Sequence, residues 1–326
     1  MDSDINAMNI SVRTMLAAAL LVIQASVPVV MAGDVGLPKQ MVGVDNANFY
    51  QVSLPLGMQS FAFDEAGNDV YTLHVEKKDG REQSTISRFR TMQAGRQQPV
   101  DSAEAIPFIG HQGLSFERGE GDTSRLWASA RNDPYQAVRF RYDQGEIGDV
   151  KFYKFFPESF FGRNETLPAV CESQQYLAVR GRRASNRMVV RLFDLRQLAK
   201  RGPGDYAEMF AYEWEVDPSI TRPIDGAFQG VQSLACDGKH VYILAGGSSA
   251  KTAKRIHVYT LNGVLVKKNE NITVGLDRAQ RDPGGYFYEP EGLAFRRTAN
   301  LPVLFMGVVS GPGRRHINRL WPVSLE

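Results

Sequence analysis

A five-residue element recurs five times along the chain, at intervals of 53, 55, 65 and 59 residues, and this repetition constrains the fold more than any single motif. Its copies are Gln59-Ser60-Phe61-Ala62-Phe63, Gln112-Gly113-Leu114-Ser115-Phe116, Leu167-Pro168-Ala169-Val170-Cys171, Gln232-Ser233-Leu234-Ala235-Cys236 and Glu291-Gly292-Leu293-Ala294-Phe295. After a polar turn such as Asp64-Glu65-Ala66-Gly67-Asn68 or Asp237-Gly238-Lys239 comes a second apolar run: Val70-Tyr71-Thr72-Leu73, Leu126-Trp127-Ala128-Ser129, Tyr176-Leu177-Ala178-Val179, Val241-Tyr242-Ile243-Leu244 and Val303-Leu304-Phe305-Met306. A basic hairpin and a third run follow, containing Arg88-Phe89, Arg139-Phe140, Arg191-Leu192, His257-Val258 and Arg319-Leu320. Alternation with β-branched and aromatic residues marks these runs as strands.

In the middle units a fourth candidate strand precedes the next copy: Val150 to Phe155, Met209 to Trp214, and Val264 to Lys268. Four antiparallel strands per unit at this spacing describe the blades of a propeller rather than a sandwich, so the expected fold is all-β, a five-bladed β-propeller. The fifth unit runs out at Val323-Ser324-Leu325-Glu326 with no room for a fourth strand. A propeller must close its ring, and the unassigned stretch from Asn46 to Ser53 is the expected donor of the missing strand.

At these residues the chain resembles the five-bladed propeller family of helveticin J-type bacteriocins, teichoic-acid biosynthesis protein C and staphylococcal phage receptor-binding proteins. The resemblance rests on Met58-Gln59-Ser60-Phe61-Ala62, on Gly110-His111-Gln112-Gly113-Leu114 followed by Leu126-Trp127, and on Glu289-Pro290-Glu291-Gly292 followed by Gly307-Val308 and Asn318-Arg319-Leu320-Trp321. It covers about residues 42–326. It implies binding of cell-envelope glycopolymers, or a secreted antibacterial role, and brings no catalytic residues with it.

Glu289-Pro290-Glu291-Gly292 sets two carboxylates two residues apart, as an acid/base pair would be, but Glu291 falls in register with Gln59, Gln112 and Gln232, so the repeat already accounts for it. Strand direction puts this position, the second hairpin of every blade and the repeated Arg or His on one face. Those hairpins carry Lys77, Lys78 and Arg81, then Arg131, then Arg180, Arg182, Arg183 and Arg187, then Lys251, Lys254 and Arg255, then Arg314 and Arg315, in a chain whose formal net charge is only +2. The charge is therefore expected to be polarised, with Asp64, Glu65, Glu117, Glu120 and Asp122 on the opposite face.

A concentrated positive surface attracts polyanions, and arginine offers phosphate or carboxylate a planar fork. The expected ligand contacts are Gln59, His111, Gln112, Gln232 and Glu291 around the channel mouth, with Arg182, Arg183, Arg314 and Arg315 on the rim. Arg88, Arg139, Arg191 and Arg319 recur blade by blade, as residues making the same internal hydrogen bonds would. Aromatic residues lie in the connections before the first strands, at Tyr286-Phe287-Tyr288, Phe155-Phe156 and Phe160-Phe161, where they can meet sugar rings or fill gaps between blades.

His74, His111, His240, His257 and His316 show no paired metal spacing, neither cysteine lies in a Cys-x-x-Cys, and no phosphate-cradling loop or serine-nucleophile motif is present, so no metal or cofactor is expected. Cys171 and Cys236 occupy corresponding positions of adjacent blades, a separation that argues for free, buried thiols. The carboxylates Glu289, Glu291, Asp133 and Asp225 support an alternative, a calcium-assisted hydrolase of a phosphoester or glycoside at the channel mouth. Residues 1–32, with Arg13 before the apolar run from Met15 to Ile23 and a small-residue site at Val30-Met31-Ala32, read as a secretory signal peptide. The expectation is thus an exported, periplasmic or secreted monomer. Its single domain, residues 33–326, binds a bacterial envelope glycan or anionic polymer without catalysis, has no nucleic-acid partner and keeps no membrane anchor.

Overall fold

The structure, a computed structural model, describes residues 50–325 apart from 53, 55, 65, 67, 79, 91–94, 120–123, 161–165, 299–300 and 312–314. The signal segment, Arg314, Phe161, Glu65, Glu120 and Asp122 therefore lie outside the described residues. Five separate sheets form the five blades. The first comprises Met58–Phe63, Asp69–Lys78, Arg81–Arg90 and Asp101–Ile106, and the second Ser115–Glu117, Arg125–Ser129, Gln136–Asp143 and Glu146–Lys154. The third comprises Leu167–Val170, Tyr176–Arg182, Met188–Asp194 and Tyr212–Glu215, and the fourth Gly230–Cys236, His240–Gly246, Lys254–Thr260 and Leu265–Ile272. The outer strand Asp101–Ile106 has no clear apolar alternation and is the strand that the sequence pattern does not reveal.

The fifth blade takes Tyr288–Arg296, Val303–Ser310 and Ile317–Pro322 from the C-terminal part and closes with Tyr50–Val52, which pairs antiparallel with Ile317–Pro322 from Tyr50 opposite Leu320 to Val52 opposite Asn318. On its far side Gly95–Gln97, reaching across from the first blade, adds a parallel strand. Asn318 reinforces the seam: its amide donates to the carbonyls of Leu54 (3.0 Å) and Leu56 (2.8 Å), and its Oδ1 accepts from Met58 N (2.9 Å).

The apolar core is divided among the blade junctions. Among the described residues each of five clusters spans two neighbouring blades: Leu73 and Ile86 with Leu126 and Phe140; Trp127 and Tyr153 with Leu177 and Phe193; Val190 and Leu167 with Ile243 and Tyr259; Leu244 and Val258 with Met306 and Trp321; Phe305 and Leu320 with Phe61 and Phe89. Each inner sheet is thus covered on both faces, which is why a strand such as His240–Gly246 is buried at every position instead of alternating. The outer strand Leu265–Ile272 alternates instead, turning Val266, Lys268 and Glu270 to solvent.

The second residue of the repeated element is always small or proline because the next blade lies against it. Ser60 Oγ accepts from Leu114 N (3.0 Å) and Ser233 Oγ from Leu293 N (2.9 Å), while a Cβ on Gly113 or Gly292 would sit 2.7 Å from Pro168 Cδ or 2.8 Å from Phe61 Cδ1. Ser115 makes the equivalent bond from the second blade to the third, accepting from Val170 N (2.8 Å).

Between the third and fourth blades a disulfide, Cys171–Cys236, does this stitching. That corrects the expectation of free thiols. Blades narrow towards the axis, so the ends of neighbouring innermost strands approach closely: the two Cα atoms are 4.4 Å apart and Glu172 N donates to Cys236 O at 2.8 Å.

Candidate ligand-binding face

Strand register fixes which residues share an end of the ring. Each first strand starts where the second ends, as Met58 opposite His74 and Gly230 opposite Gly246 show, so the channel mouth formed by the repeated Gln/Glu positions and the hairpins Lys78 to Arg81, Ser129 to Gln136, Arg182 to Met188, Gly246 to Lys254 and Ser310 to Ile317 lie at one end. At this end the pairing slips by one residue between Met58 and Ser60, between Val231 and Ser233, and between Pro290 and Leu293. Gln59, Gln232 and Glu291 therefore occupy β-bulges, which bend a strand and re-aim its side chain. The third blade has no slip, and Leu167 at the same position is fully buried.

Two of the repeated mouth positions are in direct contact. Gln112 Nε2 donates to Gln232 Oε1 at 2.6 Å, joining blades two and four, and Gln232 Nε2 donates to Gly246 O at 3.2 Å. Gln59 is half-buried beside Gly57. Glu291 is only 4% exposed, its Oε2 has no hydrogen-bond partner, and burial, then the neighbouring Glu289 carboxyl, push its pKa well above the usual range. Burial also raises Glu289, which lies within hydrogen-bonding reach of Glu291 and is partly offset by Lys254. Lys254, counted from sequence among the exposed hairpin cations, is fully buried: its Nζ donates to Gly247 O (2.7 Å) and Ser249 O (3.0 Å), lies over the Tyr288 ring, and is pushed down to about 8 by burial.

The rim arginines are not a bare cationic surface. Arg183 pairs with Glu213 and lies over Phe160, Arg187 pairs with Glu215 (2.7 Å), and Arg182 donates to Asn186 Oδ1 (2.6 Å). Arg131 (3.1 Å) and His111 (2.7 Å) both meet Glu82. Arg315 is exposed. At the other end Arg118, Arg296 and Arg297 accompany Asp64 and Glu172, with Arg297 on Glu172 at 2.7 Å. The expected charge polarisation is therefore blunted: outer-strand carboxylates such as Glu213 and Glu215 return to the hairpin end, a proximity that a count of hairpin residues misses.

The repeated arginines are internal. Arg139 grips Glu117 with two bonds of 2.6 Å, Arg319 grips Asp282 (2.5 and 2.9 Å), and Arg191 pairs with Glu213 (2.6 Å) while donating to the carbonyls of Phe155 and Ala207. Glu117 is thus a buried ion-pair partner rather than part of an acidic face. Arg88, opposite Tyr71 and bound to Asp69 and Asp101, lies towards the other end, against the single-face expectation.

The carboxylates of the hydrolase alternative sit in three different settings. Glu289 and Glu291 are a contacting pair, Asp133 accepts from Tyr135 N (2.8 Å) and Gln136 Nε2 (2.7 Å) within its own hairpin, and Asp225 is exposed in a connection. Among the described residues no group of three or more His, Cys, Asp or Glu could hold a metal ion. The same end carries two large exposed aromatics, Phe228 (74%) and Tyr286 (68%). Sequence pattern points to Tyr286 but passes over Phe228, although both follow glycine closely in a connection to a first strand, as Gly226-Ala227-Phe228 and Gly284-Gly285-Tyr286.

A family profile described as the phage 5-bladed beta propeller receptor binding platform domain matches residues 57–322. The tail fiber of Staphylococcus aureus phage P68 has a TM-score of 0.61 at 15% identity, covering 86% of this chain and 53% of that one. Xyloglucan-locus GH43B of Bacteroides ovatus has a TM-score of 0.49 at 10% identity over 85% of this chain and 55% of that one, and TolB from Acinetobacter baumannii 0.37 at 12% over 82% and 55%. This chain thus spans about half the length of the tail fiber and of TolB. No curated protein sequence matches it. No helix among the described residues is long and apolar enough to cross a membrane. The chain belongs to the family of phage five-bladed β-propeller receptor-binding platform domains.

Proposed function

We propose that this propeller is a non-catalytic attachment module that binds a glycan or glycopolymer of a bacterial envelope through the end carrying the bulged Gln/Glu mouth. The observation that carries the reading is the Gln112–Gln232 hydrogen bond across the mouth, with Glu291 at the matching position of the fifth blade in contact with Glu289, in a chain of a receptor-binding platform family. A ring of amides and carboxyls offers donors and acceptors to hydroxyl-rich ligands, and the rim of Arg182, Arg183, Arg314 and Arg315 adds forks for occasional anionic groups. Outer-membrane, wall-polymer and capsular glycans all present these groups, and export through the segment 1–32 would deliver the module to them.

The test is a glycan array probed with the full chain, with and without calcium, and repeated with Arg182→Ala/Arg183→Ala/Arg314→Ala/Arg315→Ala. The expected result is calcium-independent retention of envelope glycans, weakened about tenfold in the quadruple variant at low salt. Absence of any retained glycan would remove the reading. Retention that is unchanged and salt-insensitive in the variant would remove the arginine rim from it.

A further inference from the structure

The junction of blades four and five carries an arrangement that the repeat does not require. The hairpin from Gly247 to Ala250 lies between two connections. On one side Gln229 Oε1 accepts from Gly247 N (3.1 Å), and the Phe228 carbonyl is so close that a Cβ on Gly247 would sit 2.3 Å from it. On the other, Tyr288 N donates to Ser248 O (2.8 Å) and Ala250 N to Tyr286 O (2.9 Å). Three residues of chain, at most about 10 Å, therefore separate the anchor points of Phe228 and Tyr286. Both rings stay in water although the same segments place Tyr288 and Gln229 in the interior.

Beneath the hairpin lies its polar floor. The Lys254 ammonium is engaged by the hairpin carbonyls, and beside it Glu289, half-buried, contacts the wholly buried Glu291, whose Oε2 lacks a partner. Carboxyls accept from hydroxyl groups and repel phosphate, and aromatic faces suit the C–H faces of a sugar ring. We propose that this junction is a saccharide subsite in which Phe228 and Tyr286 present their rings to a pyranose and Glu289, braced by Glu291, accepts a hydrogen bond from a ring hydroxyl. The inference rests on the attachment reading above. It narrows the ligand at this place to an uncharged sugar unit and moves the principal contact away from the arginine rim.

Saturation-transfer NMR on the full chain, with methyl pyranosides of glucose, galactose and N-acetylglucosamine and with glycerol 3-phosphate as the anionic probe, tests it. Saturation is expected to reach the ring protons of at least one pyranoside, with affinity falling about tenfold in Phe228→Ala/Tyr286→Ala, since each aromatic contact contributes a few-fold. Glu289→Gln is expected to weaken the same pyranoside, and Lys239→Ala, in an exposed turn at the other end of the ring, to leave it unchanged. Both aromatics are exposed, so the double variant keeps its core, which its Tm checks. Unchanged pyranoside binding in the aromatic variant, saturation of glycerol 3-phosphate alone, or no saturation of any probe each overturns the subsite. Co-sedimentation with insoluble bacterial envelope separates the two failures: if wild type still sediments, the attachment reading stands without this subsite, and if it does not, both fall.

Discussion

Glu291 shows how one residue can depart from its repeat at a cost. Its counterparts Gln59, Gln112 and Gln232 are neutral amides, whereas Glu291 is an acid whose pKa burial, and then Glu289, push well above the usual carboxyl range. Its ordinary value is 4.5, and the folded value lies well above it. Below pH 4.5 both folded and unfolded chains keep the proton, and no stability is lost. As pH rises towards the folded value the unfolded chain releases the proton first, so stability falls across that window, by about 1.4 kcal/mol for each pH unit crossed. Glu291→Gln should therefore raise Tm at pH 8, by about 2–4 °C per kcal/mol recovered, and leave it unchanged near pH 4, as calorimetry across pH would show. A gain equal at both pH values would mean that titration of Glu291 is not the cause. Lys254 has the opposite slope: lowered to about 8 from 10.5, it weakens the fold at low pH, and that loss is relieved as pH rises from about 8 to 10.5.

At the scale of the strand, the innermost element of each blade has to serve the mouth and the junction at once. The bulge turns one residue towards the axis while the next meets the neighbouring blade, so Gln-Ser and Glu-Gly recur as pairs. Removing the stitch should be local in cause and measurable in effect. Ser233→Ala leaves Leu293 N without its acceptor in a buried junction and should cost about 1–3 kcal/mol in urea unfolding. A change below about 0.5 kcal/mol would show that the bond adds nothing. Of the element-level features, the inner three strands of each blade were legible in the sequence, because burial on both faces demands continuous β-branched and aromatic runs. The outer strand Asp101–Ile106 was not, since an edge strand with one exposed face tolerates Asp, Ser and Glu.

For the molecule as a whole, stability depends on closure. Each core cluster belongs to two blades, so no blade is complete without its neighbours, and the seam at Tyr50–Val52 and the disulfide at the third junction both lock the ring. Substituting Cys171→Ser/Cys236→Ser is expected to lower stability by about 2–4 kcal/mol, read as a lower urea midpoint, and wild type in a thiol reductant should approach the variant. Identical midpoints for wild type and variant under oxidising conditions would mean that the bond contributes nothing. The amino-acid sequence by itself determined the blade number, the order of the inner three strands of each blade and the N-terminal closing strand, because a repeat period and an alternation pattern are local properties and ring closure follows from counting strands. Tertiary structure alone decided that Cys171 and Cys236 meet, that Arg183 and Arg191 share Glu213, that Lys254 is buried, and that Phe228 and Tyr286 flank one hairpin. Such pairings join residues far apart in the chain, and the distance between neighbouring blades, which narrows towards the axis, appears in no stretch of sequence.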